Sequence, residues 1–157
     1  MVFDFSYSVH EFACKKPING TWPTPSPTII PDGHCRADFQ EYQGYCYKLM
    51  GVEQSVDGEP SKKDWQGAKD DCNHFAVGAY ADLASVHSEK EAAFITTMLA
   101  GRQNDNVTEL WIGGYIMPNN QGIWGWSDES KWTYDHWAQG EPNGQWGEVG
   151  IEDYSET

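Results

Sequence analysis

Apolar positions along the chain change their spacing several times, and each change marks an element. Tyr45, Tyr47 and Leu49 recur at every second position just after Gly44. Successive side chains of a strand point to opposite faces, so this spacing predicts one arm of a hairpin over residues 35–50, with its turn near Gly44. The spacing then lengthens. Trp65, Ala68, Cys72 and Phe75 share one face of a helix predicted over residues 61–75. Ser61 is its expected N-cap, with Asp64 three residues on as a weaker form of the capping box. Residues 81–86 form a short strand, and a second helix opens at Ser88, where Glu91 completes a capping box. Ala92, Ile95 and Leu99 make the apolar stripe of that helix, and Gly101 ends it. After Leu110 the character shifts again. Trp111-Ile-Gly-Gly114 is β-type, and Trp124, Trp126, Trp132 and Trp137 follow among Gly, Ser, Asp and Asn. This predicts loop-rich structure pinned mostly by buried indoles, with sugar stacking on one exposed ring as the lesser role.

Residues 17–34, PINGTWPTPSPTIIPDGH, hold five of the eight prolines, with Thr and Ser interleaved. Such a segment favours an extended, polyproline-like conformation and acts as a semi-rigid linker. A length of 157 residues suits one domain with an appendage. Hydrophobic residues make up 39% and aromatics 14%, enough for a packed core and too much for a disordered chain. The formal charge of -14 repels phosphate backbones, which excludes nucleic acid as a partner. It also draws divalent cations to the surface, although charge taken alone serves solubility. No apolar run approaches the ~20 residues that span a bilayer, so no membrane insertion is expected within this chain. The first residues, MVFDFSYSVHEF, lack the basic start and apolar centre of a secretory signal.

The cysteines nevertheless point outside the cell. None of Cys14, Cys35, Cys46 and Cys72 sits in a CxxC pair, so a zinc or thioredoxin-type site has no support. Cys35 and Cys46 flank the predicted hairpin, close enough to bridge across it. Cys72 faces inward on the first helix, with a distant partner or as a buried thiol. His74 and His87 form no arrangement that would make it catalytic. Asn19-Gly-Thr21 and Asn106-Val-Thr108 are N-glycosylation acceptor triplets. An extracellular chain without a signal is expected to be a fragment or an incomplete gene model.

The densest chemistry lies in residues 137–143, WAQGEPN, and in Glu152-Asp153 downstream. Glu141 and Asn143 place a carboxylate and an amide on either side of Pro142. Hard cations such as Ca²⁺ take about six to eight oxygen ligands of these kinds. The chain therefore reads as holding a Ca²⁺ site that grips a ligand.

Five segments, in this order, resemble the C-type lectin-like domain: CRADFQEYQGYCYKL, DWQGAKDDC, ADLASVHSEKEAAFI, ELWIGG and WGWSDESKWTYDHWAQGEPN. Gly114 stands where that family's WIGL-type signature has an apolar residue. The resemblance implies an α+β fold, with two helices packed on short antiparallel sheets, a long Ca²⁺-binding loop, and C-terminal strands missing. It implies a disulfide within the Cys35–Cys46 hairpin. It makes Glu141 and Asn143 ligands of Ca²⁺ and of a sugar, with a cis bond before Pro142. Placing the amide after the proline implies mannose, N-acetylglucosamine, glucose or fucose over galactose. A later glutamate supplies a third ligand. The IEDYSE stretch favours Glu152, Glu148 is its rival, and Asp153 would serve an auxiliary ion. Tyr154 stands where the family's third cysteine usually stands, and the Trp-Asn-Asp motif and final cysteine would lie beyond Thr157. HEFACKKP resembles the closing strand of such a domain. The preferred organisation is residues 1–16 as the closing strand of a preceding domain, 17–34 as linker and 35–157 as a truncated lectin-like domain, as in tandem-domain receptors resembling the macrophage mannose receptor. In the variant, the Cys14 strand fills the vacant slot of this same domain and pairs with Cys72.

Calcium-dependent binding of glycans or glycoproteins by an extracellular lectin or receptor is the expected function. The alternative is a lectin-like domain that binds a protein partner without sugar or calcium. Glu152 and Asp153 could in principle do acid–base work, but adjacent residues rarely face one substrate from opposite sides, so no enzyme is expected.

Overall fold

Cys14 sits at the centre of a sheet that the hairpin, both helices and the later strands build around it. The structure is a computed structural model and describes residues 11–18, 35, 38–51, 62–75, 80–101, 109–117, 123–137 and 148–152. The described elements, in chain order, are β1 (Glu11–Pro17), β2 (Gln40–Tyr42), β3 (Tyr45–Met50), α1 (Trp65–Phe75), β4 (Asp82–Leu83), α2 (Glu89–Ala100), β5 (Glu109–Ile116), β6 (Trp124–Trp126) and β7 (Glu148–Glu152). The strands join in one sheet in the order β2-β3-β1-β5-β6, with β4 paired to β1 and β7 to β5. This is an α+β fold.

The hairpin forms where the spacing predicted it. Tyr42 pairs with Tyr45, and the two turn residues, Gln43 and Gly44, both have positive φ, 48° and 84°. Two-residue hairpin turns of this hand need that conformation at both positions, and glycine adopts it without a Cβ clash. Cys35 and Cys46 are bonded, with their Cα atoms 5.5 Å apart.

Helix α1 starts at Trp65, the first residue of its apolar face, later than the start predicted at residue 61. Asp64 caps it: Asp64 Oδ1 accepts from Gly67 N at 2.8 Å, and its carbonyl accepts from Ala68 N at 2.8 Å. Ser61, the expected cap, lies outside the described residues. Helix α2 is capped as predicted by Ser88, whose Oγ accepts from Glu91 N at 3.2 Å. Glu91 reaches back to His87 N, at 2.8 Å, one residue before the cap. The strand predicted over residues 81–86 shortens to Asp82–Leu83, although all six residues are buried.

Strand β1 differs from the expected organisation. It was assigned to a preceding domain, yet it pairs with β3 over six residues, with β4 over two, and with β5 over two. Cys14 bonds to Cys72 of α1, 58 residues away in the chain. In this structure the strand lies within the same sheet as the elements that follow it. The physical reason is the strand's alternation. Phe12 and Cys14 enter one buried cluster with Ala68, Cys72, Leu83 and Trp111. Ala13 enters the other, with Tyr47, Leu49, Ile95, Leu99, Leu110 and Ile112. Both faces of β1 are covered, α1 lying on one side and α2 on the other, and residues 11–16 are all buried. The sheet is mixed where an antiparallel one was expected, because β1 and β5 run parallel and the helices supply the crossover between them.

Candidate calcium-binding loop

The loop that carries Glu141, Pro142 and Asn143 lies outside the described residues, but both of its feet are described. On one side, the Trp137 ring packs 5.0 Å from Trp124 and 6.0 Å from Trp132. Trp132 in turn stacks 4.4 Å from the buried Trp126. On the other side, Glu148 begins β7 and pairs with Tyr115. Trp124 pairs with Ile116, the next residue along β5. Trp124 and Glu148 therefore meet the same end of β5, one on each of its two edges. The register of β7 then carries Glu152 to Glu109, at the far end of β5. At ~3.4 Å per residue, the backbones of Glu148 and Glu152 are roughly 13 Å apart. Asp153, Asn19 and Asn106 lie outside the described residues. Among the described residues, no group of three or more His, Cys, Asp or Glu could hold a metal ion.

A polar network ties the near foot to the core. Asp128 follows β6. It accepts from Ser85 Oγ at 2.5 Å, from Ser130 Oγ at 2.5 Å and from Ser130 N at 2.9 Å. His87 Nε2 lies 3.1 Å from both serine hydroxyls. With each hydroxyl hydrogen directed to Asp128, Nε2 is the donor to both oxygens. The Nδ1 nitrogen is then the one a proton would enter. Burial holds the His87 imidazole below its usual pKa, and the nearby Lys15 ammonium lowers it further, against opposing pulls from Glu91 and Asp128.

Behind Ser85 sits a buried ion pair. Lys15 Nζ is 2.5 Å from Glu91 Oε1 and donates to Ser85 O at 3.1 Å. Tyr47 donates to the same Glu91 oxygen. Burial alone would raise the Glu91 pKa, but the hydrogen bonds from Lys15 and Tyr47 outweigh it and hold the carboxyl below its usual range. Burial and the neighbouring carboxylate push the Tyr47 phenol up. On the α1 side, Asp82 is 1% exposed and accepts from Lys69 at 3.0 Å, Ser127 Oγ at 2.7 Å and Tyr80 OH at 2.8 Å.

Sequence reasoning singled out none of these polar groups for this role. The sequence presents Glu91 only as a capping residue, and His87 only as forming no catalytic arrangement with a cysteine. Lys15, directly after the apolar Phe12-Ala13-Cys14 run and buried with it, is the available sign.

The Lectin C-type domain family model matches residues 61–149, more than half of the chain. The chain belongs to the C-type lectin domain family. The matched stretch runs from before α1 into β7 and includes Glu141, Asn143 and Glu148, but neither β1 nor Glu152. This C-type lectin domain is 33% identical over 139 residues to human C-type mannose receptor 2, covering 84% of this chain and 8% of that protein. It is 33% identical over 112 residues to C-type lectin lectoxin-Lio1 of Erythrolamprus poecilogyrus, covering 71% of this chain and 60% of that one. The chain thus spans less than two thirds of the length of either relative. Among solved structures, C-type lectin CEL-I from Cucumaria echinata superposes with a TM-score of 0.62 at 26% identity, covering 77% of this chain and 83% of that one.

Proposed function

We propose that this domain binds carbohydrate through Ca²⁺ held by the 138–147 loop, with Glu141 and Asn143 as ligands of both ion and sugar. The observation that carries the reading is a carboxylate and an amide flanking Pro142, in a segment preceded by Trp137, which packs on Trp124, and followed by Glu148, which pairs with Tyr115. The donor set fits: carboxylate and amide oxygens are the hard ligands that Ca²⁺ takes. The bound ion would supply the attraction for two neighbouring sugar hydroxyls. The protein would supply the geometry. The Asn143 amide donates to a hydroxyl oxygen, and the Glu141 carboxylate accepts that sugar's hydroxyl proton. The order Glu-Pro-Asn supports the mannose, N-acetylglucosamine and fucose class, as does the likeness to a protein named a mannose receptor. Glu152 and Glu148 compete as third ligand, and the register of β7 supports Glu148, which stands at the loop's foot. Asp153 is the candidate for an auxiliary ion.

Two disulfides and the likeness to a receptor support an extracellular setting. No helix among the described residues is long and apolar enough to cross a membrane. The domain acts as a binding module, not an enzyme. A glycan array with and without a Ca²⁺ chelator tests the function. Binding to mannose-type glycans that disappears on chelation is expected. Binding that survives chelation, or a protein partner unaffected by exchanging the Glu141 and Asn143 side-chain types, would move the domain to the protein-binding alternative.

A further inference from the structure

The slot that β1 fills is chemically selective. It lies between β3 and β5, with α1 and α2 on its two faces. An extended segment entering it must offer an apolar residue to Leu83 and Trp111, a cysteine to Cys72 and a cation to Glu91. Phe12, Cys14 and Lys15 do so. Lys15 meets a preassembled acceptor set of Glu91 Oε1, Ser85 O and Ser85 Oγ, at 2.5, 3.1 and 3.3 Å. The family match begins at residue 61, so this central strand comes from outside the matched stretch.

The connection between β1 and the rest of the domain is poorly suited to closing on itself. Its two ends are held at the same hairpin turn. Pro17 pairs with Tyr45, and Ile18 N donates to Gly44 O at 2.9 Å. At the other end, Cys35 bonds to Cys46, the residue after Tyr45. Between these ends, residues 18–34 contain Pro23, Pro25, Pro27 and Pro31. Pro-rich segments favour ~3.1 Å per residue, so these 17 residues prefer a span on the order of 50 Å. Intrachain closure has its greatest advantage when the linker's preferred length matches the span it must bridge. Within one chain, both residues flanking this segment are held at that turn.

We propose that the slot between β3 and β5 is a strand-acceptor site that is also filled in trans, by β1 of a second copy of this chain. Reciprocal exchange closes a two-fold dimer without creating any new kind of contact. Two Cys14–Cys72 bonds then link the copies. Each bond forms by thiol–disulfide exchange: the two thiols release two protons and two electrons, and a small-molecule disulfide such as oxidised glutathione takes them up to become two thiols.

Isotope mixing tests this directly. Equal amounts of the full chain in ¹⁴N and ¹⁵N forms are reduced, unfolded and refolded together in a glutathione redox buffer over a range of concentrations. The products are sized by light scattering, and their cystine peptides are read by mass spectrometry. A dimer fraction that grows with concentration is expected, with about half of its Cys14–Cys72 peptides of mixed isotope, the statistical share for reciprocal exchange. Cys35–Cys46 peptides should stay single-isotope throughout. A P23S/P25S/P27S/P31S variant, which leaves the slot intact, should lower the dimer fraction several-fold. Single-isotope Cys14–Cys72 peptides in every fraction would overturn the proposal, whether or not a dimer forms, and so would a dimer fraction that the serine linker leaves unchanged.

Discussion

Glu148 and Glu152 belong to the same short strand, but only one of them stands beside the loop they were proposed to serve. Strand register sets Glu148 opposite Tyr115 and Glu152 opposite Glu109, at the two ends of the pairing. If Glu148 is the third ligand, Glu148→Gln should weaken Ca²⁺ binding by about tenfold or more, because ligand charge sets affinity at such sites, while Glu152→Gln should leave it within about twofold. Calorimetric titration of both variants decides this, and the reverse ranking returns the role to Glu152. His87 gives a second prediction at this scale. Its folded pKa lies below the ordinary value, chiefly through burial. The unfolded chain therefore binds the imidazole proton more readily, and stability falls as pH drops from just above the ordinary value towards the folded one, then levels off. Denaturant midpoints followed through that window should decline in the native chain. His87→Gln should remove this part of the decline, and an unchanged pH profile would count against it.

At the scale of elements, local rules explain more than apolar spacing does. The start of α1 is set by which side chain satisfies its first amides, and Asp64 does so. Asp64→Ala should lower stability by about 1 kcal/mol, measured by urea unfolding, with the helix start fraying. Gly113 shows a different kind of constraint. A Cβ placed there would meet Ser127 Oγ at 2.7 Å and Leu83 O at 2.9 Å. Since one of those atoms is backbone, Gly113→Ala should force β5 away from β4 and destabilise by roughly 1–3 kcal/mol, visible as a lowered Tm. Position 113 of the Trp-Ile-Gly-Gly segment is thus glycine because two backbones approach each other there.

For the whole molecule, the decisive element is the strand that enters from before the linker. It joins both hydrophobic clusters, the disulfide to α1 and the ion pair to α2. Lys15→Met would strand the Glu91 carboxylate in the interior, which should lower stability by about 3–5 kcal/mol. Lys15→Met combined with Glu91→Gln should recover part of that loss, because a neutral amide needs no cation. A double-mutant cycle from denaturant curves measures it, and full additivity would show that the two groups are not coupled. The same strand also links the core to the loop, since Lys15 donates to Ser85 and Ser85 donates to Asp128 at the loop's near foot.

Local features were legible in the chain by itself. The turn at Gly44, the Ser88 cap and the Cys35–Cys46 bridge each depend on residues close together in sequence, so short-range geometry determines them. Family membership followed from the order of such pieces. What only the tertiary structure decided is where β1 goes, which thiol Cys14 meets, and how Lys15, Glu91, Asp128 and His87 form continuous polar networks. These depend on contacts across 43 to 76 residues of chain. No spacing rule reaches that far: such pairs are selected because the buried charge of one group is tolerable only beside the other, and that condition exists only once the sheet has closed.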